Sequence, residues 1–440
     1  MTEKRFLNIE IIAKNAKNAS YRLASLSEEV KNKALSLIAE NIQKNKNIIL
    51  EKNQIDLKLA QKMIEEGKLT KALYDRLKLD EEKLDVMIEG IKDIIKLEDP
   101  VNKTQWAIEL DEGLELYRIS CPIGVIGVIF ESRPDVVTQI AALAIKSANA
   151  VILKGGSEAN NSNEILVNLI NEALLELKEF PENSVNLVKT RENVEEMLKM
   201  DDYIDLIIPR GSNSLVKHIQ SNTKIPVLGH SEGICHIYID EFADLKKATK
   251  ISIDAKIQYP SACNAVETIL IHKNIAVNYL PELISELRQV HVLVKGDEAV
   301  KNMINDVEKA TKEDWKTEYS DKTVSVKVVS DIYDAIDHIN TYGSGHTDSI
   351  ITEKKENAEI FMNLVDSSGV YHNASTRFAD GFRYGFGAEV GISTNKTHAR
   401  GPVGLEGLVI YKYKLYGNGQ TVGDYSGVNA RRYTHKNIKL

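Results

Sequence analysis

Apolar side chains in the first 95 or so residues recur at helical spacing. Val30, Ala34, Leu37, Ile38 and Ile42 fall on one stripe, behind Ser27 as N-cap and Glu28 and Glu29 as an acidic first turn. The helical pattern runs to about Lys96 and stops ahead of Pro100. Residues 104–120, TQWAIELDEGLELYRIS, then alternate around Asp111-Glu112-Gly113, which predicts a β-hairpin. A hairpin placed before an α/β region lacks an obvious sheet partner in its own domain, so its partner is expected outside that domain.

From 121 to about 375 short apolar runs alternate with amphipathic stretches. The predicted strands are 124–130, 150–155, 184–189, 204–209 and 235–240, with helices between them such as 158–178 and 212–221. Wholly apolar strands separated by helices predict a parallel sheet covered on both faces. After Cys263 the same alternation restarts, with strands at 265–271, 290–295 and 324–329 and a helix near 276–289. The restart predicts a second α/β domain with Cys263 at the junction, where clefts commonly receive ligands. The stretch 407–419, GLVIYKYKLYGNG, reads as a strand and turn and is a candidate partner for the early hairpin.

A chain of 440 residues exceeds one hydrophobic core, so two or three domains are expected. The formal net charge of −8 offers no bulk attraction for nucleic acid or an anionic membrane. An anionic substrate must then be met by a local group of basic side chains. Cys121, Cys235 and Cys263 form no CxxC pair and are odd in number, which fits reduced thiols in a cytosol. The charged N-terminal stretch has no apolar core, and no run reaches the roughly 20 apolar residues that span a bilayer. A soluble cytoplasmic protein is the expectation.

Cys263 follows Tyr-Pro-Ser-Ala and precedes an apolar run, which places it in a turn. Such a thiol is either inert packing or a nucleophile, depending on what lowers its pKa. Asn264 offers an adjacent amide that could donate to an oxyanion. No partner base is evident, so a peptidase-like Cys/His pair is not indicated. Cys121 and Cys235, at strand starts among apolar neighbours, read as packing residues.

ILKGGSEA (152–159) and IPRGSNSL (208–215) each end an apolar strand and open a helix, the geometry that presents backbone N–H groups and a helix dipole to a phosphate. Neither matches GxGxxG or GxxxxGK[ST]. Lys154 and Arg210 at the strand ends favour anion binding over plain tight turns. Arg133, Arg377, Arg383 and Arg400 all lie in irregular Gly/Pro-rich stretches, where a guanidinium can clamp carboxylate or phosphate. GHSEGICH (229–236) contains His230, Cys235 and His236, but the spacing matches no zinc motif and no metal is expected.

CPIGVIGVIFESRPDV, ILKGGSEA, LIIPRGSNSLV, HSEGICHIYID, YPSACNAVETIL, TEYSD, YGSGHTDSIIT and NASTRFADGFRYGFGAEVGISTNKTHARGPVGLEGL occur in this order. Together they closely resemble the branch of the aldehyde dehydrogenase superfamily that serves proline biosynthesis, over residues 10 to about 415. The resemblance implies an α/β fold with two parallel-sheet domains and a small β oligomerisation flap. The cofactor domain would take 1–103 and 121–250, the catalytic domain 251–385, the flap 104–120 and 405–425, and 386–404 would return to the cofactor domain.

It also implies NADPH-dependent reduction of L-glutamyl 5-phosphate to L-glutamate 5-semialdehyde through a thioacyl enzyme. Cys263 would be the nucleophile, with Asn264 and the Cys263 backbone N–H stabilising the oxyanion. Arg133, Arg377 and Arg400 would share the phosphate and the α-carboxylate, in an assignment left open. Lys154, Gly155, Ser157, Arg210, Gly211, Ser212 and Glu318 would hold the cofactor.

Two departures from ordinary aldehyde dehydrogenases are readable. Arg133 stands where those enzymes have asparagine, and LGHSEG puts glycine where they have the glutamate base, with Glu232 only nearby. Loss of that base suits phosphate, not water, as acyl acceptor. Ser157 replaces the ribose-binding glutamate of NAD-preferring relatives, which favours NADP. A homo-oligomer is expected, and a labile acyl phosphate invites association with glutamate 5-kinase. The rivals are a hydrolytic aldehyde dehydrogenase, which would need no phosphate, and a scaffold that kept the fold without catalysis.

Overall fold

Ser27 caps the helix Glu28–Lys44 in extended conformation (φ −73°, ψ 161°), its Oγ accepting from Val30 N at 3.4 Å. The buried face is Lys31, Ala34, Leu35, Ile38, Ala39 and Ile42, rotated slightly from the expected stripe, so Val30 and Leu37 sit at its margin. This computed structural model describes residues 9–190, 192–230 and 232–440. They fall into two compact units, one of residues up to 227 with 387–390 and 404–440, the other of 228–386 with 391–403.

In the first unit the predicted hairpin forms from β1 (Thr104–Asp111) and β2 (Leu114–Pro122), turning at Gly113 with φ +70°. Next come β3 (Val125–Phe130), β4 (Ala150–Lys154), β5 (Val185–Val188) and β6 (Leu206–Arg210), parallel and in the order β5-β4-β3-β6. All six β3 residues are buried, as a strand covered on both faces requires. Gly124 leads into β3 with φ +130°, and a Cβ there would lie 2.2 Å from Asp205 Oδ2. That carboxylate accepts from Val125 N at 2.8 Å and from Lys17 Nζ, tying the first helix, Ile9–Leu23, to the sheet.

The second unit holds β7 (Cys235–Ile239), β8 (Val266–His272), β9 (Leu293–Gly296), β10 (Glu308–Lys309), β11 (Thr323–Val329), β12 (Thr347–Ile351) and β13 (Gly369–His372). They form one parallel sheet in the order β10-β9-β11-β8-β7-β12-β13. The expected boundary at 250 therefore changes, because 235–240 pairs with β8 and β12 here and not with the first sheet. The stretch 386–404 also divides. Residues 387–390 join the first unit, while β14 (Gly391–Ser393) and β15 (Gly401–Val403) form an antiparallel pair in the second.

The chain then completes the early hairpin. β16 (Val409–Tyr416) pairs antiparallel with β2 from Val409–Pro122 to Tyr416–Glu115. Beyond the expected flap, β17 (Lys436–Asn437) pairs with β1, giving the order β16-β2-β1-β17. No helix among the described residues is long and apolar enough to cross a membrane.

Candidate active site

Cys263 lies in the turn that links the helix Leu245–Ile257 to β8, where Ala262 N bonds Tyr259 O and Ala265 N bonds Ala262 O. The thiol is half-buried, whereas Cys235 is fully buried. Burial pushes the Cys235 thiol well up and raises that of Cys121, so both stay protonated and inert. The Cys263 N–H forms no hydrogen bond with another described residue, which leaves it as a donor beside the sulfur.

His346 is the group that sequence reasoning missed. It immediately precedes β12, and Cys263 shortly precedes β8, with only β7 between the two strands. Parallel strands bring both residues to the same edge of the sheet. There His346 Nε2 lies 3.2 Å from Cys263 Sγ, and His346 Nδ1 lies 2.8 Å from Thr347 Oγ1. A buried imidazole bonded to a thiol can take its proton. His230 stands edge-on to this ring, centroids 4.9 Å apart, and its Nδ1 is 2.9 Å from Ile392 O. His236 is engaged elsewhere, its Nδ1 lying 2.8 Å from Asp348 Oδ1 inside the sheet.

Gly233 packs against the nucleophile turn. A Cβ at this position would lie 2.0 Å from Cys263 O and 2.6 Å from Cys263 Cα. Backbone on backbone cannot give way, so Gly233→Ala is expected to shift the sulfur. About 1 Å of displacement costs roughly 100-fold in turnover. Steady-state kcat beside an unchanged far-ultraviolet CD spectrum checks this, and wild-type kcat in a folded variant would contradict it.

Asn264 ties the nucleophile turn to a neighbouring loop. It is buried, its Nδ2 donates to Ala379 O at 2.8 Å, and its own carbonyl accepts from Thr376 Oγ1 at 2.7 Å. It thus clamps the nucleophile turn to the 375–379 loop, and this bond uses one of the two N–H donors of its amide.

That loop carries Arg377, 7% exposed. Its Nε donates to Gln258 Oε1 at 2.9 Å, and Arg383 Nη1 donates to Arg377 O at 2.9 Å. Among the described residues no carboxylate pairs with Arg377. Burial lowers its pKa, the neighbouring Arg383 charge adds to that, and Cys263, Asp380 and Asp254 oppose it. A desolvated guanidinium beside a second one, with a neutral side-chain partner, is suited to hold an anion. The other candidates are occupied. Arg400 Nη2 bonds Asp366 O at 3.0 Å and Oδ1 at 3.2 Å, and Arg133 Nη2 bonds Asp135 at 3.0 Å within the first unit.

The nucleotide candidates of the first unit sit where expected, at the carboxyl ends of β4 and β6. A Cβ on Gly155 would strike Asn163 Nδ2 at 2.1 Å, and one on Gly211 would strike Glu131 Oε2 at 2.5 Å. Lys154 is half-buried and Ser157 exposed. Ser212 N, at the start of the helix Asn213–Ser221, holds the Glu131 carboxylate at 2.7 Å, so an anion already occupies this helix terminus. Arg210 Nη1 donates to Val390 O at 2.6 Å. Glu158 turns inward onto Ser132 N and Oγ at 2.8 and 2.7 Å. Glu318, in the second unit, is half-buried near Glu267.

The model of the aldehyde dehydrogenase family matches residues 7–323. The chain is 60% identical over 429 residues to the γ-glutamyl phosphate reductase of Brachyspira hyodysenteriae, covering 97% of this chain and 99% of that one. It is 55% identical over 436 residues to the enzyme of the same name from Methanococcoides burtonii, covering 98% and 97%. The crystal structure of γ-glutamyl phosphate reductase from Thermotoga maritima superposes with a TM-score of 0.91 at 43% identity, over 94% of this chain and 99% of that one.

Proposed function

The chain belongs to the aldehyde dehydrogenase family, and from that premise we infer that it reduces L-glutamyl 5-phosphate to L-glutamate 5-semialdehyde, releasing phosphate, in the second step of proline biosynthesis from glutamate. It is an oxidoreductase that uses a nicotinamide cofactor. The observation that carries the reading is the half-buried Cys263 sulfur bonded to His346, together with a buried Arg377 that has no carboxylate partner among the described residues.

In the mechanism supported by this arrangement, His346 Nε2 takes the Cys263 proton and the sulfur attacks the acyl carbon. The carbon–oxygen bond to phosphate breaks with its electron pair on the leaving oxygen, giving a thioester on Cys263. Arg377, with Arg383 behind it, holds the substrate anion, and the Cys263 N–H donates to the acyl oxygen as charge develops there. When bound, a reduced nicotinamide would supply hydride to the acyl carbon of the Cys263 thioester, which would leave a thiohemiacetal on the sulfur. Its carbon–sulfur bond then breaks, the aldehyde leaves, and His346 returns the proton to sulfur. Glycine here takes the place of the glutamate that ordinary aldehyde dehydrogenases use to activate water against the thioester.

Lys154, Gly155, Ser157, Arg210, Gly211 and Ser212 of the first unit fit the cofactor. The two glycines leave cradles that a Cβ would fill, and the Ser212 N–H already receives a carboxylate, which a cofactor phosphate would displace. The preference is for NADPH, because Ser157 is neutral and the adjacent Glu158 is engaged with Ser132. Ser157→Glu is expected to shift the kcat/KM ratio toward NADH by at least roughly tenfold through repulsion of the 2′-phosphate. The test is the reverse assay, semialdehyde plus oxidised cofactor, with and without phosphate or arsenate, for both cofactors. Reduction that ignores phosphate would overturn the acyl-phosphate reading, and an unmoved cofactor ratio in Ser157→Glu would overturn the role of this position.

The hairpin sheet supports a homo-oligomer. β16 is an edge strand, and its Ile410, Tyr411, Tyr413, Leu415 and Tyr416 are each about half exposed. Light scattering is expected to return a multiple of the 49.2 kDa chain mass, and a single-chain mass would contradict it. Delivery of the labile acyl phosphate by bound glutamate 5-kinase is part of the same reading, and a pull-down without a complex would remove it.

A further inference from the structure

We infer that the second unit binds one fixed water molecule between His236, Thr268 and His338, and that this water completes a polar brace setting the distance between Cys263 and His346. The brace rests on those two residues being the reacting pair. His236 Nε2, Thr268 Oγ1 and His338 Nε2 are buried and have no hydrogen-bond partner among the described residues. All three side chains belong to residues at most 3% exposed. Polar atoms at such depth are almost always bonded, and where the protein offers no partner an internal water supplies it.

Register brings the three together. Asp348 on β12 pairs with His236 on β7, His236 with Thr268 on β8, and Thr268 with Ser325 on β11. Residues in register on parallel strands project from one face, so these four make a polar row across the sheet. Both ends of the row are satisfied. Asp348 Oδ1 accepts from His236 N at 2.7 Å and Nδ1 at 2.8 Å, and its Oδ2 accepts from Ser367 Oγ. At the far end Ser325 Oγ lies 2.7 Å from Tyr319 OH. Over the middle stands His338, from the helix Ile332–Tyr342, its ring edge-on to His236 with centroids 5.6 Å apart.

The tautomers decide what the site takes. The Asp348 carboxylate only accepts, so the neutral His236 ring carries its proton on Nδ1 and offers the Nε2 lone pair. The Lys327 ammonium only donates, and its Nζ is 3.1 Å from His338 Nδ1, so that ring carries its proton on Nε2. Burial, then the nearby His236 and Lys327, hold the His338 pKa far below the usual imidazole range and keep the ring neutral. One water oxygen then accepts from His338 Nε2 and from Thr268 Oγ1 and donates to His236 Nε2. Three bonds are the usual number for a buried water. A metal ion does not suit the site, because His338 aims a proton at it.

The row lies just inside the sheet edge that carries the reacting groups. His346 stands two residues before Asp348 on one strand, and Cys263 five residues before Thr268 on another, with β7 between. The path Asp348–His236–water–Thr268 crosses all three strands and fixes their spacing beside the 3.2 Å contact of His346 Nε2 with Cys263 Sγ. His236, Thr268 and His338 are thus positioning residues.

The experiment is a crystal structure of the full-length protein at about 1.5 Å resolution, joined to the kinetics of four variants. A single water peak is expected about 2.7–3.2 Å from each of the three atoms. Absence of that peak, or an anomalously scattering peak at the roughly 2.1 Å of a metal–nitrogen bond, would overturn the water site. Thr268→Val removes one partner while keeping the branched shape. It is expected to lower both kcat and the rate of Cys263 alkylation at least roughly fivefold, with KM little changed, since about 1 Å of misplacement costs roughly 100-fold. Thr268→Ser, which keeps the hydroxyl, should return both to within about twofold of wild type. His338→Phe and His338→Gln repeat the contrast from the helix side, the glutamine amide keeping an N–H donor. Wild-type kcat and alkylation in folded Thr268→Val and His338→Phe variants would overturn the brace. Failure of wild-type Cys263 to alkylate faster than Cys121 would instead overturn the nucleophile, while the electron density still decides the water.

Discussion

Cys263→Ser is expected to lose the phosphate-dependent reverse reaction by roughly 10⁴- to 10⁶-fold, the scale seen when a covalent nucleophile is removed. A hydroxyl is a far weaker nucleophile than a thiol, even with His346 Nε2 in place beside it. The buried Cys235 and the partly buried Cys121 cannot substitute, because burial raises both thiols and neither approaches His346 as Cys263 does. The variant should keep its fold, since the sulfur is half-buried and the turn is held by Asn264, Thr376 and the Ala262 and Ala265 backbone bonds. Rapid mixing of wild type with acyl phosphate and no cofactor should release at most one phosphate per chain in a burst. No burst should appear in the serine variant. Near-normal turnover in Cys263→Ser would refute the covalent route.

The second large effect is expected at Arg377. Removing one partner from a desolvated charge pair costs about 2–5 kcal/mol, so Arg377→Met should lower kcat/KM by roughly 30- to 5,000-fold. Lysine should rescue little, because a single ammonium cannot reproduce the planar fork that grips a carboxylate or phosphate through two bonds. Stability should move the other way. Without substrate Arg377 is a buried charge whose side-chain partner is the Gln258 amide, so a methionine of similar volume should leave the melting temperature unchanged or raised. Separate KM values for phosphate and semialdehyde in the reverse assay identify which anion the guanidinium meets. A variant that loses stability but keeps its KM values would show that Arg377 is structural. Arg400→Met serves as the contrast, because Arg400 is paired with Asp366 and a smaller effect is expected there.

Much of the fold was legible along the chain because the local rules agreed with the tertiary result. The Ser27 cap, the hairpin turn at Gly113 and the alternation of buried strands with helices each follow from short-range chemistry. The assignment of 235–240 to the first sheet failed for a definite reason. A strand buried on both faces is an apolar run whichever sheet it enters, so its pattern carries no information about its neighbours. β17 escaped notice because its two residues, Lys436 and Asn437, are polar and exposed and only their pairing with Ile108 and Glu109 makes them a strand.

For the site, residue type and turn context were enough to single out Cys263, the glycine turns and the arginines. Periodicity and spacing cannot say which side chains face one another across a sheet. His346 is separated from Cys263 by 83 residues, and it becomes the partner of the thiol only because a parallel sheet brings the entrances of β8 and β12 to one edge. Folding likewise set the arginines apart in their surroundings, leaving Arg377 buried beside a second cation while Arg133 and Arg400 pair with carboxylates. It also made Asn264 a clamp on the neighbouring loop, a contact that no local pattern announces. The chain's own pattern thus determined the elements and the kinds of group available for chemistry. Which groups meet was decided by packing, because proximity depends on strand order and burial, which are properties of the assembled sheet.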